Sequence, residues 1–162
     1  MLPQIKRILY ATDLTKNSSY AFYFAADLAR THGAKIIILH CVGKISPGAY
    51  RAPGATYEPM PPISQDAKDR EAQENIVEIK RRLEEFSRKV ESQFGSPSAS
   101  LVSETIVKSG HAVEEIFNAT NEKGCDLIVL GTHGKGWLQG TSLGSVARSV
   151  LERTRKPVFV IP

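Results

Sequence analysis

Cysteine is scarce and poorly placed for chemistry. The chain of 162 residues holds two, Cys41 and Cys125, too far apart for a zinc pair and too few for a disulfide framework. Each falls in or beside an apolar run, so structural burial is expected rather than redox reactivity. His32, His40 and His111 lack ligand spacing to one another, and no metal site is expected. No window approaches the roughly 20 consecutive apolar residues of a membrane span, so a soluble chain without a membrane partner is expected. Met1 to Lys6 lack the long apolar stretch of a signal peptide, and a cytoplasmic location follows as the expectation. Charge of one sign is also in short supply, because 21 Lys and Arg against 17 Asp and Glu leave only +4. A nucleic-acid binder concentrates a larger excess on one face, so no such partner is expected.

What remains is an ordinary globular composition, 41% hydrophobic and 23% charged, without internal repeats. A chain of this length buries roughly 70% of its unfolded surface and needs no covalent or metallic staple. One domain spanning 1–162 is expected.

Strand and helix signals alternate along it. Ile5 to Ala11 (IKRILYA) is a short apolar run closed by the polar cluster Thr12 to Ser19, which suits a buried strand and a turn. Asn17, Ser18 or Ser19 offers a cap for a helix in which Ala21, Phe24, Ala25 and Leu28 recur at helical spacing, with Gly33 as its stop. Lys35 to Val42 (KIIILHCV) is apolar on both faces, as a strand covered by helices on each side must be. Gly43 to Pro62 then holds five of the nine prolines and three glycines, which predicts an irregular loop insertion, either lid or tether.

Ile76, Ile79, Leu83, Phe86, Val90 and Phe94 step by three or four residues and predict a long amphipathic helix. Its basic run Lys80, Arg81, Arg82 lies among Glu78, Glu84 and Glu85, where ion pairing along the helix accounts for it. Leu101 to Val107 reads as a third strand, more polar and so nearer a sheet edge. Ala112 to Lys123 follows as a helix burying Val113, Ile116 and Phe117, and Leu127 to Leu130 as the fourth strand. After a glycine-rich loop, Ser145 to Thr154 makes a helix with Val146, Val150 and Leu151 inward, and Pro157 to Ile161 a fifth strand. Strands separated by helices return in the same direction, so the expected fold is α/β: a doubly wound, Rossmann-like domain, its five-stranded parallel sheet covered by helices on both faces. In such sheets ligands bind beyond the carboxyl ends of the strands, where the winding reverses.

The loop after the fourth strand carries the chemistry. Gly131, Gly134, Gly136, Gly140 and Gly144 let successive main-chain N–H groups turn toward one anion, and the loop feeds a helix whose free N–H groups begin near Ser145. It is not a P-loop, because Gly136 is followed by Trp137 and not by lysine. Nor is it a dinucleotide fingerprint, because Gly140 comes one residue too late and the first turn holds no glycine.

With the pattern G-x2-G-x9-G-[ST] at Gly131, Gly134, Gly144 and Ser145, the chain resembles the nucleotide-binding branch of the universal stress protein family. The opening KRILYATD, the strand end LHCV, the segment DLIVLGTHG and the closing SVLERTRKPVFVIP resemble it too, leaving the Pro-rich insertion as the least typical part. The resemblance implies a site for ATP or AMP, with Ala11, Thr12 and Asp13 at the adenosine and Val42 against the adenine. It places Gly131, Thr132, His133, Gly134, Lys135 and Gly136, with Gly144, Ser145 and Val146, around ribose and phosphates. It also implies a homodimer through the final strand, Val158 to Ile161.

The residues themselves leave alternatives open. Asp13 also suits an Asx-turn or helix cap, Val42 the core, and the glycine loop a plain connector. Ser145 suits a phosphate donor and helix cap. His133 and Lys135 either face phosphate or stay in solvent, and Trp137 either packs over the loop or anchors a partner. No carboxylate or histidine pair is placed to activate a water, so no catalytic residue is assigned. Slow ATP hydrolysis with Mg²⁺ bridging the phosphates, and a dimeric interaction module with a vestigial pocket, stand as alternatives to nucleotide binding in a stress response.

Overall fold

The computed structural model describes residues 2–43, 65–95, 100–132 and 143–162. The first strand, β1 (Arg7–Thr12), leads through α1 (Lys16–His32) to β2 (Lys35–Val42), and α2 (Gln65–Gln93) leads on to β3 (Val102–Ser109). Then α3 (Ala112–Glu122), β4 (Leu127–Gly131), α4 (Ser145–Arg153) and β5 (Val158–Ile161) complete the order. The strands lie side by side as β3-β2-β1-β4-β5, and every neighbouring pair is parallel. The winding therefore moves outward from β1 to β3, returns past β1, and moves outward again through β4 and β5. This is the expected doubly wound α/β fold, with β3 at one edge and β5 at the other.

Alternation along each strand sends side chains to two separate cores. Ile8, Tyr10, Ile36, Ile38 and Val129 pack under α1 and α2 with Ala21, Phe22, Ala25, Leu83 and Val90. Leu9, Ile37, Leu39, Ile128 and Leu130 pack under α3 and α4 with Val113, Ile116, Ala147 and Val150. The central strands are apolar on both faces for this reason. In α1 the buried stripe is largely alanine, which brings the helix close to the sheet, and Phe22 fills the remaining space between Tyr10 and Phe86 at ring distances of 5.1 and 5.5 Å.

Three local expectations are corrected. The cap of α1 is Thr15, whose hydroxyl accepts the Ser18 N–H at 3.3 Å, so Asn17, Ser18 and Ser19 lie inside the first turn. The cap of α4 is Gly144, which leaves Ser145 as the first helical residue and not the cap. Val146 and Leu151, expected inward, are 37% and 44% exposed. That short helix buries the expected Val150 and, in place of the other two, Ala147, about one turn away on a single narrow face. The basic run of α2 pairs as expected, Arg81 and Arg82 both reaching Glu78 at 2.9 and 2.8 Å, with Arg81 also bonded to Glu85. Apart from Gly43, the Pro-rich Gly43 to Pro62 segment lies outside the described residues.

Candidate functional site

Reversal of the winding puts the carboxyl ends of β1 and β4 next to each other, since the two strands pair through Tyr10↔Val129 and run on to Thr12 and Gly131. Ala11, Thr12 and Asp13 leave β1 there. The chain then turns sharply: Leu14 has φ +67°, a left-handed conformation that costs an L-residue about 1 kcal/mol or more. Hydrogen bonds hold it there. Leu14 N–H donates to Thr12 Oγ1 at 3.0 Å and Thr15 N–H to Asp13 Oδ1 at 3.0 Å, the latter closing an Asx-turn. Thr15 Oγ1 and Ser18 Oγ also donate to Asp13 Oδ1, at 2.6 and 2.8 Å. Three donors on one oxygen fix the carboxyl group at the start of α1, the positive end of that helix.

Beside this turn, Gly131 allows a close approach. A β-carbon there would overlap Asn17 Oδ1 and lie 3.2 Å from Asn17 Cγ and 3.4 Å from Ser18 Cα. Thr132 N–H continues the ladder to Ile161 C=O at 2.8 Å, and Gly144 N–H donates to Thr132 C=O at 2.6 Å. The two ends of the glycine-rich loop are thus tied together beside the Asp13 turn. At Gly144, α4 opens with no side-chain hydrogen bond at its cap and no acidic residue in its first turn, and Ser145 and Val146 are exposed. A helix end in that condition presents N–H groups and partial positive charge to an anion.

Val42 is half-buried at the end of β2, the neighbour of β1 on the other side, where its carbonyl accepts Gly110 N–H at 3.1 Å. Of the expected site residues, the structure therefore gathers Ala11, Thr12, Asp13, Val42, Gly131, Thr132, Gly144, Ser145 and Val146 at one edge of three adjacent strands. His133, Gly134, Lys135 and Gly136 lie outside the described residues, as does Trp137. Sequence reasoning missed the roles of Thr15, Ser18 and His40. His40 is buried and its Nδ1 lies 2.8 Å from the Thr12 carbonyl, which ties β2 to the turn. The Thr15–Ser18 pair was legible as a cap three residues before an N–H partner; the His40 bond crosses 28 positions and had no local signal.

A shallow cavity of ≈ 180 Å³ opens on the α1/α2 side of β1, between Tyr10, Thr12, Leu14 and the α2 residues Arg82, Leu83 and Phe86. Among the described residues of the expected site, Thr12 lines it. Both thiols are held protonated: burial and the Glu115 carboxylate push Cys41 up to about 11, and burial pushes Cys125 up to about 11 against the pull of Arg7. Among the described residues no group of three or more His, Cys, Asp or Glu is placed to hold a metal ion.

A five-stranded parallel sheet whose winding reverses between β1 and β4 defines the class of Rossmann-like α/β proteins. The universal stress protein family profile matches residues 4–162, and the chain belongs to that family. Universal stress protein MJ0577 of Methanocaldococcus jannaschii is 25% identical over 165 residues, covering 96% of this chain and 94% of that one. Its solved structure superposes with a TM-score of 0.73 at 23% identity over 98% of this chain and 96% of that one. A universal stress protein in complex with cAMP matches at TM-score 0.62 and 21% identity, covering 99% and 98% of the two chains. One from Archaeoglobus fulgidus in complex with dAMP matches at 0.53 and 21%, covering 98% of each. Among the described residues no helix is long and apolar enough to cross a membrane.

Proposed function

We propose that this chain binds an adenine nucleotide, ATP or AMP, at the corner formed by the Asp13 turn, the Gly131–Gly144 loop ends and the start of α4, with Mg²⁺ bridging the phosphates of a triphosphate. The observation that carries the reading is the Gly144–Thr132 hydrogen bond, which ties the start of α4, a helix without a side-chain cap, to the end of β4, the strand that pairs with β1 ahead of Asp13. The helix end suits phosphate; Asp13 is placed to accept from ribose or base; Val42 offers an apolar wall. Two solved members of the same fold and family hold cAMP and dAMP, which supports an adenine ligand. The role that follows is a stress-response protein of the cytoplasm, one domain over 1–162, signalling through conformation or partners and not through turnover. Calorimetric titration with ATP and AMP tests the reading. Saturable binding that weakens in Gly134→Val and Gly144→Val supports it; no binding at millimolar nucleotide refutes it.

A homodimer through β5 is favoured by a separate observation. Ile128 N–H donates to Pro157 C=O and Thr132 N–H to Ile161 C=O, so alternate residues of β5 face β4. Val158 and Val160 consequently turn their backbone groups to the open edge, beside the 41% exposed Phe159. A second copy pairing along this edge would satisfy both. Light scattering should give a dimer, and Val160→Pro, which removes only an outward N–H, should give a folded monomer. A monomer in both cases would remove the proposal.

A further inference from the structure

We propose that Ser18 is a positioning residue of the nucleotide site, acting on the ligand through Asp13. The proposal rests on the nucleotide-binding reading and names one group on which the orientation of Asp13 depends, beside the two bonds from Thr15. Ser18 is 4% exposed, and its hydroxyl lies within hydrogen-bond distance of Asp13 Oδ1 at 2.8 Å, Thr12 Oγ1 at 2.9 Å and the Thr15 carbonyl at 3.1 Å.

A hydroxyl carries one proton, so only one of these bonds is donated. The carboxylate is both the shortest and the only charged acceptor, so the proton goes to Asp13 Oδ1. The remaining polarity is then set. Thr12 Oγ1 accepts Leu14 N–H and donates to Ser18 Oγ, which in turn donates to Asp13. The result is a directed chain from a main-chain amide to a carboxylate, each bond polarising the next.

The other end of Ser18 is equally constrained. Its carbonyl accepts the buried Tyr10 hydroxyl at 2.7 Å, and its N–H is taken by the Thr15 cap. Its Cα stands 3.4 Å from the place a β-carbon on Gly131 would occupy. Ser18 thus sits on the rigid first turn of α1, held from β1 below and adjoining the end of β4. It transmits that position to Asp13, whose neighbour Leu14 is in a strained conformation and cannot hold the turn by local preference. Tyr10 supports this turn from β1, bonding the Ser18 main chain and lying beside the Thr12 hydroxyl.

The experiment is a double-mutant cycle on the full chain, with ATP affinity measured by calorimetry and folding by circular dichroism. Ser18→Ala should remain folded and bind ATP about tenfold more weakly, the scale of one lost charge-assisted hydrogen bond. In an Asp13→Asn background the same change should cost less than about twofold, because residues acting through one another are not additive. A role in stability alone would instead lower the melting temperature in both backgrounds and leave the affinity ratio unchanged. Ser18→Cys, close in size but a weak donor, decides the matter if Ser18→Ala does not fold, and should show the same selective loss. Wild-type binding with unaltered affinity in a folded Ser18 variant, or effects that multiply independently, overturns this proposal alone. Absence of ATP and AMP binding by the wild type overturns the nucleotide reading and this proposal with it.

Discussion

The side-chain amide of Asn17 occupies the space into which a β-carbon on Gly131 would project, with Asn17 Cγ 3.2 Å from that point. One residue comes from the first turn of α1 and the other from the last position of β4, so the approach joins the two walls of the candidate site. Gly131→Ala should therefore push Asn17 aside at a cost of about 1 kcal/mol, at the low end for overpacking because the clash meets a side chain and not the backbone. Asn17→Ala should relieve part of that cost, giving a double variant more stable than the sum of the two single effects. Denaturant unfolding of the four proteins measures it; strict additivity would show that the close approach is relaxed in solution.

Glu91 is a buried carboxylate outside the site. It reaches from the end of α2 to the start of β3, its Oε1 accepting Leu101 N–H at 2.9 Å and Val102 N–H at 3.1 Å, with Ser100 Oγ at 3.0 Å. Glu91→Ala leaves these donors without a partner and should destabilise the fold by about 2 kcal/mol. Glu91→Gln keeps one acceptor oxygen and should cost less. Equal losses in the two variants would mean that the hydrogen bonds are not what the residue contributes.

Asp126 gives stability a pH dependence. Partial burial raises its pKa, but the Lys6 and Arg7 N–H bonds at 2.9 and 3.0 Å, with the charges of Lys156 and Arg7, outweigh burial and hold the carboxyl below its ordinary value. A carboxylate depressed in the folded state stabilises the fold above its unfolded pKa of about 3.9, and the contribution disappears as pH falls through the lower folded value. Asp126→Asn should lose about 1 kcal/mol at pH 7, reduced from the buried-bond figure because the group is half in water. The gap to wild type should close below about pH 4. A gap independent of pH would assign the effect to packing.

Both thiols should be silent in the native state. With values near 11 for Cys41 and Cys125, the thiolate fraction at pH 8 is on the order of 0.1% against roughly a quarter for an unperturbed cysteine. Ellman's reagent at pH 8 should report almost no fast reaction until guanidinium is added, and then both cysteines. Rapid labelling of one native thiol, traced to Cys41 by mass spectrometry, would show that its half-buried position at the end of β2 is reached by solvent.

Periodicity determined the elements because burial on a sheet face and on a helix stripe leaves different repeats in the chain. Lys35–Val42 has no polar face and can only be a strand covered on both sides, and the leucine, valine and aromatic stripe of α2 has only one face to bury. The same logic placed Val150 but failed for the rest of α4, where nine residues give too few turns to fix which face is inward and Ala147 is buried while Val146 is exposed. It also misplaced the α1 cap by two residues or more, since serine, threonine and asparagine at neighbouring positions offer equivalent oxygens until the turn before them is known.

The sequence by itself determined that this chain would be a parallel α/β sheet, because apolar strands separated by amphipathic helices follow from local spacing. Only the tertiary structure decided that β1 and β4 are neighbours, that His40 bonds the Thr12 carbonyl, and that Ser18 stands between Asp13 and Gly131. The His40 bond and the pairing of β1 with β4 join residues 28 to more than 100 positions apart through the order of strands in the sheet, and strand order is a property of how whole layers pack, which no local stretch of residues encodes.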